Sequence, residues 1–406
     1  MNFAWFIANR ITFKSKRTFS KLIVRIAIIG IMLGLGVMIL TLAIIRGFKS
    51  EIRSKVRGFS GDMVVIKNDL NSSYENSPIT SDPAFEKKIL TSPLVTKVMP
   101  FATKPGIIKA KTEIEGIVLK GVDRQYDWSA FKRNMVAGDV IDFSDTTQSK
   151  KQLLISQTIA NRLGLKVGNK AIIYFVQEPM LARQFVIRGI FSFELEEVDK
   201  TYVVGDMSVI SRINNWSPGQ IGGYEVRATS FDQIKAAEDK VDNLLPSNLK
   251  SYSLMDNYPA LFAWLDLLDG NTIVVLVLMI LVALINMISA LLIMILERTT
   301  MIGILKAMGA ANWTLQKVFL YNAFYIIGLG MLFGNLFGLG LGFIQSYTHL
   351  FKLDPDSYFM SSVPVQFNIV DVILLNIGTL IICLEVMIAP SMLVTEITPV
   401  KAIRFK

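Results

Sequence analysis

Four apolar stretches divide this chain unevenly, at residues 22–46, 268–296, 319–346 and 367–392. Each reaches the roughly 20 residues needed to cross about 30 Å of hydrocarbon. Between the first and the second lies a polar segment, residues 47–267, long enough for a folded domain. The other connections are short. A chain with four spans and half its length outside the bilayer is poorly suited to form a pore. It is better suited to couple an external domain to something on the opposite face. The expected fold is membrane α-helical, with four transmembrane helices and a large mixed α/β extracytoplasmic domain inserted between spans 1 and 2.

Charge orients these pieces. Ahead of the first stretch stand Arg10, Lys14, Lys16, Arg17, Lys21 and Arg25, with no acidic residue among them. The positive-inside rule places segment 1–21 in the cytoplasm. An even span count returns the tail, 393–406, to the same side, where Lys401, Arg404 and Lys406 agree. Loop 297–318 then faces inward and loop 347–366 outward, the latter with Asp354 and Asp356 against Lys352. The formal charge of +9 is therefore a matter of topology, because segment 47–267 is nearly neutral. Nucleic acid, the usual partner of a basic chain, is not expected. The first stretch lacks a small-residue cleavage pattern and is expected to stay as an anchor.

The residues that carry chemistry are missing. Cys383 and His349 are the only cysteine and histidine, so neither an intrachain disulfide, a zinc site nor a Ser-His-Asp triad is expected. No G-x-x-x-x-G-K-[ST], G-x-S-x-G, H-E-x-x-H or C-x-x-C occurs. Glu194, Glu196 and Glu197 cluster, but such runs are usually solvated edges. No catalytic residue, metal or cofactor is expected in this chain.

Residues 2–20 interleave aromatic and basic side chains. They read either as an amphipathic helix on the inner membrane surface or as a simple extension of the first span. A helix running from 22 to about 56 would be about 50 Å long and project as a stalk. Pro259–Leu296 behaves similarly. Between them the pattern gives a strand at 62–67 and a helix at 81–90, with Asp82 and Pro83 at its start. Segment 94–122 reads as strands broken by Pro100, Pro105 and Gly106. A helix at 156–163 ends at Gly164. Strands follow at 171–176, 183–191, 201–205 and 223–228, then a helix near 231–245 and a strand at 250–254. The two ends should pack together, with the strand-rich middle inserted.

Three features of the spans call for partners. Gly330, Gly334, Gly338 and Gly342 recur every four residues in the third span, and Gly30 and Gly34 mark the first. Such stripes allow close helix packing against a neighbour in the same chain or in another subunit. Glu385 lies within the last span and is either paired, with Lys306, Lys317 or Arg298, or snorkelling to the interface. The inward loop carries Ile304, Leu305 and Met308 on one side of a short helix ended by Gly309. This apolar ridge is costly in water unless a partner or the headgroups cover it.

That loop, Glu297-Arg298-Thr299-Thr300-Met301-Ile302-Gly303-Ile304-Leu305-Lys306-Ala307-Met308-Gly309-Ala310, resembles the coupling element of MacB/FtsX-type ABC transporter permeases. Thr398-Pro399-Val400-Lys401-Ala402-Ile403-Arg404 is similar to the closing motif of that family. Phe6–Arg10, Ile26–Ile31 and Gly47–Ile52 resemble its lipoprotein-releasing LolC/LolE branch, and residues 156–169 its helix–turn element. The resemblance implies a permease without its own nucleotide site. A separate cytoplasmic ATPase, itself a homodimer, would bind ATP and Mg and dock on Glu297, Arg298, Ile302, Gly303, Ile304, Leu305, Lys306, Met308 and Gly309. It further implies a second permease subunit, the bacterial inner membrane with a periplasmic external domain, and lipoprotein cargo passed to a periplasmic carrier. Efflux and cell-wall-regulating permeases share the same coupling features and remain the alternative; a sensor receptor is a more distant one. Cargo lipid chains are expected on Ile39, Leu42 and Ile45 with Leu261, Phe262, Trp264, Leu265 and Leu268, a face that ordinary packing also explains. Val176–Arg183 is shorter than the arm with which one member of the lipoprotein-releasing pair binds its carrier, so docking there is left open.

Overall fold

A computed structural model describes residues 18–69, 73–110 and 113–398. The amphipathic segment at 2–17 and the closing motif from Pro399 onward lie outside them. The chain divides into two compact units, one of residues 50–263 with 353–361 and one of the remainder.

Among the described residues, the membrane unit contains four helices long and apolar enough to span. The first, Thr18–Ser60, runs 43 residues without a break and reaches four residues beyond the expected 56. The second is Pro259–Glu297, the third Asn312–Thr348 and the fourth Ile369–Ser391. His349 ends the third in the left-handed conformation, and Asn368 caps the fourth through its side chain. Asp269 and Gly270 do not interrupt the second helix. Lys49 of the first helix reaches Asp269, and Arg46 reaches Asp371 at 2.6 Å.

Among the described residues, the external unit is built from twelve strands. They are β1 Met63–Lys67, β2 Ile79–Thr80, β3 Val95–Ala110, β4 Glu113–Val122, β5 Met135–Gly138 and β6 Gln152–Ser156. β7 Lys170–Phe175, β8 Leu181–Phe191, β9 Tyr202–Asp206, β10 Gln220–Ile221, β11 Gly223–Ala228 and β12 Leu249–Ser253 complete the set. Pairings β3–β4, β4–β9, β9–β6, β6–β8, β8–β7 and β7–β3 return to their start, closing a small barrel. Closure removes most sheet edges and encloses a core that includes Ile108, Leu119, Ile155, Ile173, Phe175 and Phe185. β11 extends from β3 as an open wing, followed by β1 and β12, so the two ends of the domain do pack together.

The expected breaks in 94–122 are absent: β3 runs straight through Pro100, Pro105 and Gly106. At Pro100 the strand is paired only with β11, and at Pro105 only with β4. Proline lacks an N–H, and a strand paired on one side can spare it. The cap reading at 82–90 agrees with the structure. Asp82 accepts from Ala84 and Phe85, and Pro83 opens the helix. Ser156 caps the helix Gln157–Leu163, and Gly164 ends it at a φ of 60°.

Candidate functional site

The loop expected to face inward forms a helix at Thr299–Ala307. Nine residues are marginal as an isolated helix, so the back of this one must be held. Ile302 is fully buried and Gly303 is buried with it, in a cluster that includes Met294, Ile295, Leu315 and Phe319. Leu305 packs partly against the same cluster. The Lys306 ammonium donates to the carbonyls of Thr395 at 2.9 Å and Ile397 at 2.8 Å. This ties the loop to the tail and satisfies carbonyls that the short helix Leu393–Glu396 leaves open. Desolvation pulls the Lys306 ammonium below its usual value. Gly309 turns the chain at a φ of 90°, which only glycine adopts without strain.

The expected docking residues therefore separate by role. Ile302, Gly303 and Leu305 hold the helix, and Lys306 tethers it. Ile304 and Met308, one turn apart, stand out at 48% and 78% exposure, and Trp313, at the start of the third helix, is 58% exposed. The ridge expected from Ile304, Leu305 and Met308 is thus narrower by Leu305. Glu297 and Arg298 lie at the junction with the second helix, Arg298 as N-cap residue and Glu297 with one carboxylate oxygen buried.

The glycine stripe finds its neighbour within the same chain. A Cβ at Gly330 would sit 2.7 Å from Ile31, at Gly334 3.1 Å from Leu35, and at Gly338 2.9 Å from the Gly36 carbonyl. Gly342 instead accommodates the Phe367 ring. Gly30 and Gly34 face the second helix, at Asn286 and Ala283. Asn335 and Asn376 exchange two amide hydrogen bonds, at 2.7 and 2.9 Å, between the third and fourth helices. Glu385 is exposed on the fourth helix and makes no ion pair among the described residues. Lys306, one of its expected partners, is committed to backbone carbonyls instead. Lys317, another, lies 5.2 Å from the Trp313 ring.

In the external unit, the end of the first helix is clamped. A helix C-terminus leaves carbonyls without partners and carries partial negative charge. Arg227 donates to the Arg57 carbonyl at 3.0 Å, and the Lys120 ammonium to that of Phe59. Lys120 is fully buried, 2.6 Å from Glu225. Burial pulls its ammonium down, and the Glu225 carboxylate works against that shift. Arg57 pairs with buried Asp62 and donates to the Ala228 carbonyl at 3.1 Å. The Phe59 ring meets Phe193 edge-on at 5.8 Å. One turn back, Lys55 holds Glu194 at 2.5 Å and the Phe359 carbonyl at 3.0 Å. Glu194 is thus not on a solvated edge. Its backbone N–H donates to Asp199 at 2.9 Å. Burial pushes the Asp199 carboxyl up to about 6, against the N–H groups of Phe193 and Glu194 and the Ser192 hydroxyl. Sequence reasoning missed this clamp, because its members are scattered from 55 to 359 and only the tertiary fold assembles them.

The expected lipid face is not one open surface. Ile39 and Leu265 are each 1% exposed. The Phe262 ring stacks on Phe231 at 5.7 Å. Leu42, Ile45, Leu261, Trp264 and Leu268 are half-buried. The large exposed apolar face of the second helix lies further on, through Val274, Val277, Leu278, Leu281 and Ile285. Among the described residues, no three His, Cys, Asp or Glu side chains gather to hold a metal ion.

A family model for the MacB-like periplasmic core domain matches residues 26–244, and one for the FtsX-like permease C-terminal region matches residues 273–399. The chain is 21% identical over 427 residues to the lipoprotein-releasing system transmembrane protein LolE of Haemophilus influenzae, covering 99% of each chain. It is 21% identical over 411 residues to the corresponding LolC of Xylella fastidiosa, covering 97% of this chain and 96% of the relative. Among solved structures, the periplasmic region of MacB from Actinobacillus actinomycetemcomitans aligns with a TM-score of 0.37 at 14% identity, covering 51% of this chain and 95% of that one. The extracellular domain of the transporter YknZ from Gram-positive bacteria aligns at 0.34 and 15%, covering 47% and 98%.

Proposed function

The chain belongs to the permease family built from a MacB-like periplasmic core and an FtsX-like C-terminal region, and from that premise we propose that it transmits force in an ABC transporter of the lipoprotein-releasing type. In this reading a cytoplasmic ATPase subunit binds ATP and Mg and docks on the inward helix. A second permease subunit, the same or related, completes the membrane part. Acylated proteins leave the outer leaflet of the bacterial inner membrane and pass to a periplasmic carrier. This chain makes and breaks no bonds, and its N- and C-terminal segments lie in the cytoplasm.

The observation that carries the proposal is the two-sided inward helix. Its back is tied down by Ile302, Gly303 and the Lys306 tether, while Ile304 and Met308 stand bare on the front. An apolar front on a held base suits docking of a partner and movement of the helices joined to it. The lipoprotein cargo rests on the full-length similarity to LolE and LolC.

The test is the paired substitution Ile304→Asp and Met308→Asp in the full chain. Copurification of the ATPase and cargo release should both fall at least tenfold, with the external domain still folded. Gly303→Asp or Leu305→Asp would strike the packed back and confuse docking with folding. Unchanged ATPase binding in the paired variant would defeat the proposal. Mass spectrometry of the wild-type complex should find acylated protein; another class of bound molecule would favour efflux.

A further inference from the structure

An apolar groove of about 460 Å³ lies between the third and fourth long helices, and none of its lining residues comes from the short helix Thr299–Ala307. We propose that it holds one acyl chain of a membrane phospholipid, with the lipid phosphate on Lys317. The third helix lines it with Trp313, Lys317, Tyr321 and Phe324, and Leu384 closes it from the fourth. These residues recur at helical spacing along one face. From Trp313 to Tyr325 the groove runs about 18 Å at 1.5 Å per residue, a little over half the roughly 30 Å hydrocarbon thickness. That is the depth of one leaflet. On the same row, Gly328 leaves open space where a side chain would otherwise stand.

The two ends of the groove differ in kind. Trp313 and Lys317 stack at 5.2 Å at the end next to the inward loop. An aromatic ring and a basic side chain there match the composition of a membrane interface. Further along the third helix the lining is Phe324 and Tyr325, and among the lining residues only Lys317 is charged. A phosphate is therefore favoured at the Lys317 end. The exposed face of the second helix makes a built-in contrast. From Thr272 to Leu296 it has no cation, and its exposed side chains are aliphatic apart from Ser289. Lipid there would be ordinary bilayer contact; the groove offers a cation, aromatic walls and a recess together.

The proposal needs only that these helices span a membrane, so it stands apart from the ATPase and cargo readings. The full chain is reconstituted, with neither present, into nanodiscs of phosphatidylethanolamine and phosphatidylglycerol carrying a photoreactive acyl chain. Labelled peptides are then mapped by mass spectrometry. Labelling per residue at Phe324, Tyr325 and Leu384 should exceed that at Leu278–Ile285 several-fold. Lys317→Glu should reduce the excess by at least about fivefold, the equivalent of ~1 kcal/mol for one basic residue at an anionic surface. Lys317→Arg should retain it, and Leu384→Trp, which fills the recess, should remove it with Lys317 intact. Equal labelling of the two faces, or no response to Lys317→Glu and Leu384→Trp, overturns the proposal. Cross-links from Phe324 to a peptide of a second copy would also overturn it and make the groove a subunit interface.

Discussion

The first and second long helices both lead from the bilayer into the external domain, yet they are held to different degrees. The first is buried along its membrane portion at Ala27, Ile31, Leu35, Met38 and Ile39, and its far end is gripped by Lys120, Arg227 and Asp62. The second presents Val274, Val277, Leu278, Leu281 and Ile285 outward, and at its external end Phe262 makes one ring stack on Phe231. A rod that passes on displacement must not slip at its end. A surface that receives a second subunit or a lipid chain must stay bare. In the proposed function the first helix would meet the first condition and the second helix the other.

The largest expected effect tests the grip. Lys120 and Glu225 are 2% and 4% exposed, 2.6 Å apart. Removing one partner leaves the other charge buried alone, a cost of about 3–5 kcal/mol. Lys120→Met or Glu225→Ala should each lower the unfolding free energy of the external domain by that amount in a denaturant titration followed by tryptophan fluorescence. The double replacement Lys120→Met with Glu225→Leu should recover most of it. If it did, yet cargo release stayed lost, the pair would matter for transmission beyond stability.

The second test is a pH profile. Asp199 holds the backbone of Glu194, whose side chain holds Lys55 of the first helix. Its carboxyl is pushed up from 3.8 to about 6, chiefly by burial. A folded-state pKa above the unfolded one favours the protonated acid in the fold. The contribution is complete below about pH 4 and is lost as pH rises through about 6, amounting to roughly 2–3 kcal/mol by neutrality. Asp199→Asn should flatten the wild-type slope between about pH 4 and 7. An unchanged slope would detach Asp199 from the grip on the first helix.

Next comes the close approach in the bilayer. A Cβ at Gly338 would meet the Gly36 backbone at 2.9 and 3.1 Å, where no side chain can give way. Gly338→Val should cost about 1–3 kcal/mol by overpacking, read as loss of thermal stability in detergent. Gly340→Val, with open space around it, should cost little. Equal losses at the two positions would mean that helix propensity, not packing, sets the effect.

Much of this was legible in the sequence because it is local. Span lengths, the Asp82 and Ser156 caps, the Gly164 terminus and the glycine spacing are decided within a few residues. The barrel was not legible. Whether β7 pairs with both β3 and β8 depends on contacts far apart in sequence, and a strand that tolerates Pro100 and Pro105 looks broken until its one-sided pairing is known. The inward helix was placed well, but its burial was not. Ile302 and Ile304 are alike as letters, and only packing against Leu315 and Phe319 sends one inward and leaves the other bare. The clamp was invisible for the same reason as the barrel.

The smallest effect bears most directly on the comparison. Leu281 on the second helix is 48% exposed, whereas Ile31 on the first is fully buried. Ile31→Ala should destabilise the isolated subunit by about 2–5 kcal/mol. Leu281→Ala should stay within about 0.5 kcal/mol, as exposed substitutions do. In the assembled transporter the same Leu281→Ala should weaken subunit association or cargo retention, because a bare aliphatic face gains its energy only when covered. A loss in the isolated subunit as large as that for Ile31→Ala would mean the second helix is held as firmly as the first. The division between rod and receiving surface would then fail.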